Sequence, residues 1–116
     1  MLFGKPVYTR STVRTQFEEK DADNWQTVLE LVNFMLDEGG DEFVVLTLVD
    51  IKYNIRYVQS APVDDNRFTV QLGIEEENGT RLVEKLCSEE DVVEIFREFF
   101  TTTNVKNINE YNEVEF

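Results

Sequence analysis

The chain has 116 residues, with 24 Asp and Glu against 11 Lys and Arg and no His, for a formal net charge of −13. Its length suits one compact domain, residues 1–116, and a hydrophobic fraction of 41% with nine Phe supplies apolar mass that acidic disordered segments lack. The absence of His excludes Ser-His-Asp triads and His-ligated metal centres, and a single cysteine, Cys87, excludes an intramolecular disulfide and a Cys-x-x-Cys pair.

With no His to activate it, Cys87 reads as a small buried hydrophobe near the end of a strand. The start of the chain, Met1-Leu2-Phe3-Gly4-Lys5-Pro6, lacks the apolar stretch of a secretion signal, and no run of about 18 apolar residues occurs anywhere. The expectation is a soluble, cytoplasmic protein with no membrane contact. A strongly negative molecule repels phosphate backbones, and the only candidate basic patch, the acid-free first sixteen residues, holds just Lys5, Arg10 and Arg14, so no nucleic-acid partner is expected.

Residues 6–17 are rich in β-branched and aromatic side chains and fit either an edge strand or an extended arm. Asp21-Ala22-Asp23-Asn24 then offers helix-capping chemistry, with Asp23 and Gln26 spaced as a capping box. Trp25, Val28, Leu29, Val32, Met35 and Leu36 follow at the spacing of one helical face, widened by Leu31 and Phe34. The spacing predicts a helix over 23–38, stopped by Gly39-Gly40.

Phe43-Val44-Val45-Leu46-Thr47-Leu48-Val49 is apolar on both parities, as in an interior strand. Tyr53 to Val63 alternates loosely, with Pro62 predicting an edge or a bend. Asp64-Asp65-Asn66 is a turn by composition. It leads to the clearest strand, with Phe68, Val70, Leu72 and Ile74 inward and Thr69, Gln71, Gly73 and Glu75 outward. Asn78-Gly79 is a strong hairpin signal, but a two-residue loop there leaves Leu82 and Leu86 on the polar side. A longer loop or a bulge near Glu76–Gly79 is therefore expected, bringing those leucines to the buried face.

Ser88-Glu89-Glu90-Asp91 caps a second helix, whose apolar stripe comprises Val92, Val93, Phe96, Phe99 and Phe100. The tail from Val105 to Phe116 fits a last strand or an ordered arm. The order predicts an α+β fold: an antiparallel meander of about four to six strands with two amphipathic helices on one face.

Carboxylates are the only abundant reactive groups. Glu75-Glu76-Glu77 and Glu89-Glu90-Asp91 fall at a hairpin and a helix start, where solvation and the helix dipole account for them. Asp64-Asp65-Asn66 lacks the spacing of a calcium loop, and Gly39-Gly40 sits among acids that would repel phosphate. No catalytic, metal-binding or cofactor-binding residue is assigned. Charge distribution is more informative: residues 18–42 hold nine acids and one base, and residues 75–98 hold nine acids and three bases. If the helices lie side by side, their outer surfaces form one negative wall that steers a basic protein partner. The candidate contact residues are Asp37, Glu38, Asp41, Glu42, Glu75, Glu76, Glu77, Glu89 and Glu90, with Tyr53 and Tyr111 as exposed aromatics.

The element order, the acidity and the ending Val92-Val93-Glu94-Ile95-Phe96-Arg97-Glu98-Phe99-Phe100 before a short strand resemble small bacterial immunity proteins of polymorphic toxin systems, the Imm1-like type, mainly over residues 43–116. The resemblance implies a non-catalytic inhibitor of a cognate toxin. Two other readings stay open: a small-ligand-binding protein or carboxylate-dependent enzyme with its site on the sheet face away from the helices, and a structural subunit. Monomer and homodimer are both compatible with the sequence.

Overall fold

The computed structural model describes residues 11–37, 42–48, 55–64 and 66–114. Within them lie strands β1 (Ser11–Arg14), β2 (Glu19–Asp21), β3 (Val44–Leu48), β4 (Ile55–Pro62), β5 (Phe68–Glu76), β6 (Gly79–Cys87) and β7 (Asn112–Glu113), and helices α1 (Trp25–Leu36) and α2 (Glu89–Thr102). The strands form one wholly antiparallel sheet in the order β2-β1-β3-β4-β5-β6-β7. The fold is α+β, with more strands among the described residues than the four to six expected. The additions are β2, three exposed charged residues, and β7, an exposed Asn and Glu, both too short to show a periodic pattern.

One cross-strand row organises the core: Val13, Leu46, Val58, Leu72 and Val83 are register partners across five strands, and none is more than 3% exposed. Both helices cover this face, α1 over β1, β3 and β4 and α2 over β4, β5 and β6, in contact with each other. Helix α1 contributes Val28, Leu31, Val32 and Met35, and α2 contributes Val92, Phe96 and Phe99. The opposite sheet face has no helix over it among the described residues.

Local chemistry fixes the element ends. Asn24, rather than Asp23, caps α1, its Oδ1 accepting from the Thr27 amide at 3.0 Å. The helix ends at Leu36, and the glycine pair expected to stop it lies outside the described residues. Ser88 caps α2 as expected, accepting from the Asp91 amide at 3.3 Å, with Glu89, Glu90 and Asp91 in the positive first turn. At the β4–β5 turn Asp64 accepts from the backbone amides of Asn66 and Arg67, each at 3.0 Å, and from the Arg67 side chain. That guanidinium holds the Asp64 carboxyl below its usual range.

Two expectations are corrected. Residues 11–14 form an interior strand, because β2 folds back to take the edge. Pro62, as expected, ends its strand at a bend: it is the last residue of β4, paired with Phe68, and the chain bends at Val63 and Asp64. The loose alternation of β4 reflects a register shift between Ile55 and Tyr57, which puts Ile55 and Val58 on the same buried face.

The second correction concerns the hairpin. Glu77 and Asn78 form its turn, and Gly79 stands at φ 124°, a conformation that favours glycine. Pairing runs unbroken from Glu76–Gly79 to Phe68–Cys87, with Leu72 opposite Val83. No longer loop or bulge intervenes, and Leu82 and Leu86 remain on the uncovered face, Leu86 at 53% exposure. This register turns Arg81 and Lys85 toward the helical side. Both reach past the sheet margin to carboxylates of the tail: Lys85 to Glu110 at 3.0 Å and Arg81 to Glu113 at 3.5 Å.

On the uncovered face the Tyr57 ring lies over Gly73, its cross-strand partner, so closely that a Cβ on residue 73 would penetrate the ring. An aromatic side chain shielding a strand glycine offsets the glycine's missing packing. Gly73→Ala is expected to cost about 1 kcal/mol in urea unfolding, and less in a Tyr57→Ala background, since the clash then has no partner. Phe96→Ala, at the centre of the core, should cost ~3–5 kcal/mol in the same measurement.

Candidate functional site

The two helices bring their acidic ends together unequally. Helix α1 carries one carboxylate, Glu30, with Asp37 as its C-cap, whereas α2 carries Glu89, Glu90, Asp91, Glu94 and Glu98 against Arg97 alone. The wall expected from both helices is therefore built mainly by α2. The other acids of residues 18–30 lie on β2 and at its two flanks, at Glu18, Glu19, Asp21 and Asp23.

Between the C-terminal end of α1 and the N-terminal end of α2 runs a groove of about 510 Å3, lined by Asn33, Leu36, Glu89, Glu90, Val93 and Glu94 along with Asp91. Leu36 and Val93, half-buried ends of the two apolar stripes, form its floor. The carboxylates form its rim, and Asp37 follows Leu36 directly. An apolar floor inside an acidic rim accepts an aliphatic or aromatic anchor flanked by Lys or Arg. The sequence marked the rim but not the floor, since both residues read as ordinary core positions. The only available signal was that they end their stripes beside acids.

The other candidate residues are dispersed. Glu75, Glu76 and Glu77 lie at the turn end of the β5–β6 hairpin, ~30 Å of strand from Ser88, and join no surface with Glu89 and Glu90. Glu75 accepts from Thr80 at 3.0 Å and faces Arg56 at 3.5 Å. Glu76 lies 3.9 Å from Arg81, and Glu77 is exposed in the turn. Glu42 is exposed, its amide donating to Gln16 Oε1 at 3.0 Å. Glu38, Asp41 and Tyr53 lie outside the described residues.

Tyr111, expected to be exposed, is 8% exposed. It sits beneath Lys85, whose Nζ lies 5.5 Å from the ring centroid, in the segment that the 3-10 turn Ile108–Glu110 brings back against β6. Strand parity misplaced it, because this segment approaches the core as a turn. A second groove of about 450 Å3 lies here, on the far side of α2, between Glu94, Arg97, Glu98 and Thr101 of the helix and Lys85, Lys106 and Tyr111. Its charges have both signs, and Glu110 holds the Lys85 ammonium above its usual pKa.

Cys87 is buried and free, as its surroundings in the sequence suggested. No group of three or more Cys, Asp or Glu suited to a metal ion occurs among the described residues, nor is any described helix long and apolar enough to cross a membrane. On the uncovered sheet face Glu75 and Glu84 stand four ladder positions apart, ~13 Å, and Glu19 and Asp21 lie at its β2 border.

Comparison with known protein families, curated proteins and solved structures finds no significant match to this chain.

Burial pushes the Cys87 thiol above its usual 9.0 and the Tyr111 phenol above its usual 10.0. In both cases the folded state holds the proton more tightly than the unfolded state. Their stabilising contribution is complete below those ordinary values and is lost as pH rises through the raised ones. Stability followed by circular dichroism should fall from about pH 9 upward, and Cys87→Ala with Tyr111→Phe should flatten that fall.

Proposed function

We propose that this protein is a non-catalytic binding domain that engages a basic protein partner through the groove between α1 and α2. The observation that carries the reading is the pairing of an apolar floor, Leu36 and Val93, with a rim of Glu89, Glu90 and Glu94. The apolar floor supplies short-range binding energy, while the carboxylates speed encounter and select the sign of the partner's charge. In its sharper form, suggested by the resemblance to immunity proteins, the partner is a toxin domain whose basic surface the acidic groove covers.

A helical peptide with leucine anchors flanked by lysines is a suitable probe, because amphipathic helices lay such anchors into grooves of this kind. Titrated into isotopically labelled protein, it should shift the resonances of Leu36, Val93, Glu90 and Glu94. Its affinity should weaken several-fold between ~50 and ~200 mM salt, as screening shortens the reach of the rim charges. Glu90→Lys together with Glu94→Lys should weaken binding at least ~tenfold. Affinity indifferent to salt, or shifts confined to the sheet, would reject the groove as the binding surface.

A further inference from the structure

The uncovered sheet face differs from the helical face in charge. Its charged side chains are Arg14 and Arg56 against Glu19, Asp21, Glu75 and Glu84, with Glu19 the register partner of Arg14 at the β2 border, so it carries a net −2 in a molecule of net charge −13. Arg56 and Glu75 face each other at 3.5 Å. Arg14 and Glu84 have no ionic partner among the described residues: the Arg14 guanidinium lies 5.8 Å from the Phe43 ring centroid, and Glu84 accepts from Gln71 Nε2 at 3.0 Å. These two charges belong to a single cross-strand row. Arg14 pairs with Val45, Val45 with Gln59, Gln59 with Gln71 and Gln71 with Glu84, so Arg14 and Glu84 stand two strands to either side of Gln59 on β4.

We infer that this face is the interface of a homodimer, in which a second copy packs face to face about a two-fold axis running along β4. Such an axis lies in the interface and exchanges the two sides of the sheet. It sets Arg14 of each copy against Glu84 of the other, and Gln59 against its own counterpart, giving two equivalent ion pairs from one self-complementary row. The rest of the face suits sheet stacking: Thr47, Ala61, Thr69, Gly73 and Leu82 are short or apolar, and Leu86 is more than half exposed. The alternative self-contact through α2 would press two acidic surfaces together. The dimer leaves the groove between the helices facing outward, so it stands or falls independently of the binding function proposed above.

Sedimentation equilibrium from ~1 μM to ~1 mM protein is the primary test, a range that spans weak to moderate self-association. A monomer–dimer equilibrium is expected. Arg14→Glu and Glu84→Arg should each raise the dissociation constant at least ~tenfold by opposing like charges at two sites per dimer, and the double reversal should restore it. Both positions are on the surface, and circular dichroism confirms folding of each variant. Gln59→Cys should be joined to its counterpart by a short bismaleimide crosslinker, giving a dimer on a denaturing gel, since stacked sheets set the two thiols on either side of the axis with backbones ~10 Å apart, too far for a direct disulfide. A monomer at every concentration overturns the inference. So does a dimer that the single reversals leave intact, or one that the double reversal fails to restore.

Discussion

Everything in this molecule depends on the burial of a single sheet face. Across five strands the row of Val13, Leu46, Val58, Leu72 and Val83 excludes water only because α1 and α2 lie over it. An antiparallel sheet covered on one side sorts its residues by parity, and here the sorting extends to charge. Phe96, Phe99, Leu31 and Met35 fill the space between layers, leaving the helices' remaining positions to solvent, where α2 collects its carboxylates. The covering layer is therefore more acidic than the sheet beneath it.

The same constraint explains how a register with basic residues on the covered parity is tolerated. Lys85 stands opposite Val70, and Arg81 opposite Ile74, both on the side that should be apolar. Each is near the margin, where its methylene stem can cover apolar surface while its charged end reaches the tail. Glu110 and Glu113 meet them there, and the short contact of β7 with β6 holds those carboxylates in place. A register that looks unfavourable on the strand alone is completed by residues 25 and 32 positions later in the chain.

Much of the architecture could be read from the chain because its signals were local and periodic. The stripe of α2 and the Ser88 cap, the alternation of β5, and the interior character of Val44 to Leu48 all survive in the structure. What could not be read depends on distant partners. The hairpin register turned on whether Leu82 and Leu86 or Val83 and Cys87 faced inward, and hydrophobicity alone favoured the leucines. The shift between Ile55 and Tyr57 broke the alternation of β4 without an accompanying glycine or proline. Tyr111 was misplaced because a turn, not a strand, carries it inward. Of the candidate contact surface, the acids at Glu89 and Glu90 were visible as a charged helix start, but the floor of Leu36 and Val93 exists only once two helices converge.

The two ends of the sheet have a consequence of their own. On one side the outermost strand is Glu19-Lys20-Asp21, and on the other it is Asn112-Glu113. Each is short and carries charge, and among the described residues β7 covers only Val83 and Glu84 of the longer β6. Short charged borders resist the strand-by-strand templating that leads to fibrils. Among the described residues, charge at both borders opposes the lateral growth of a sheet whose second face is uncovered.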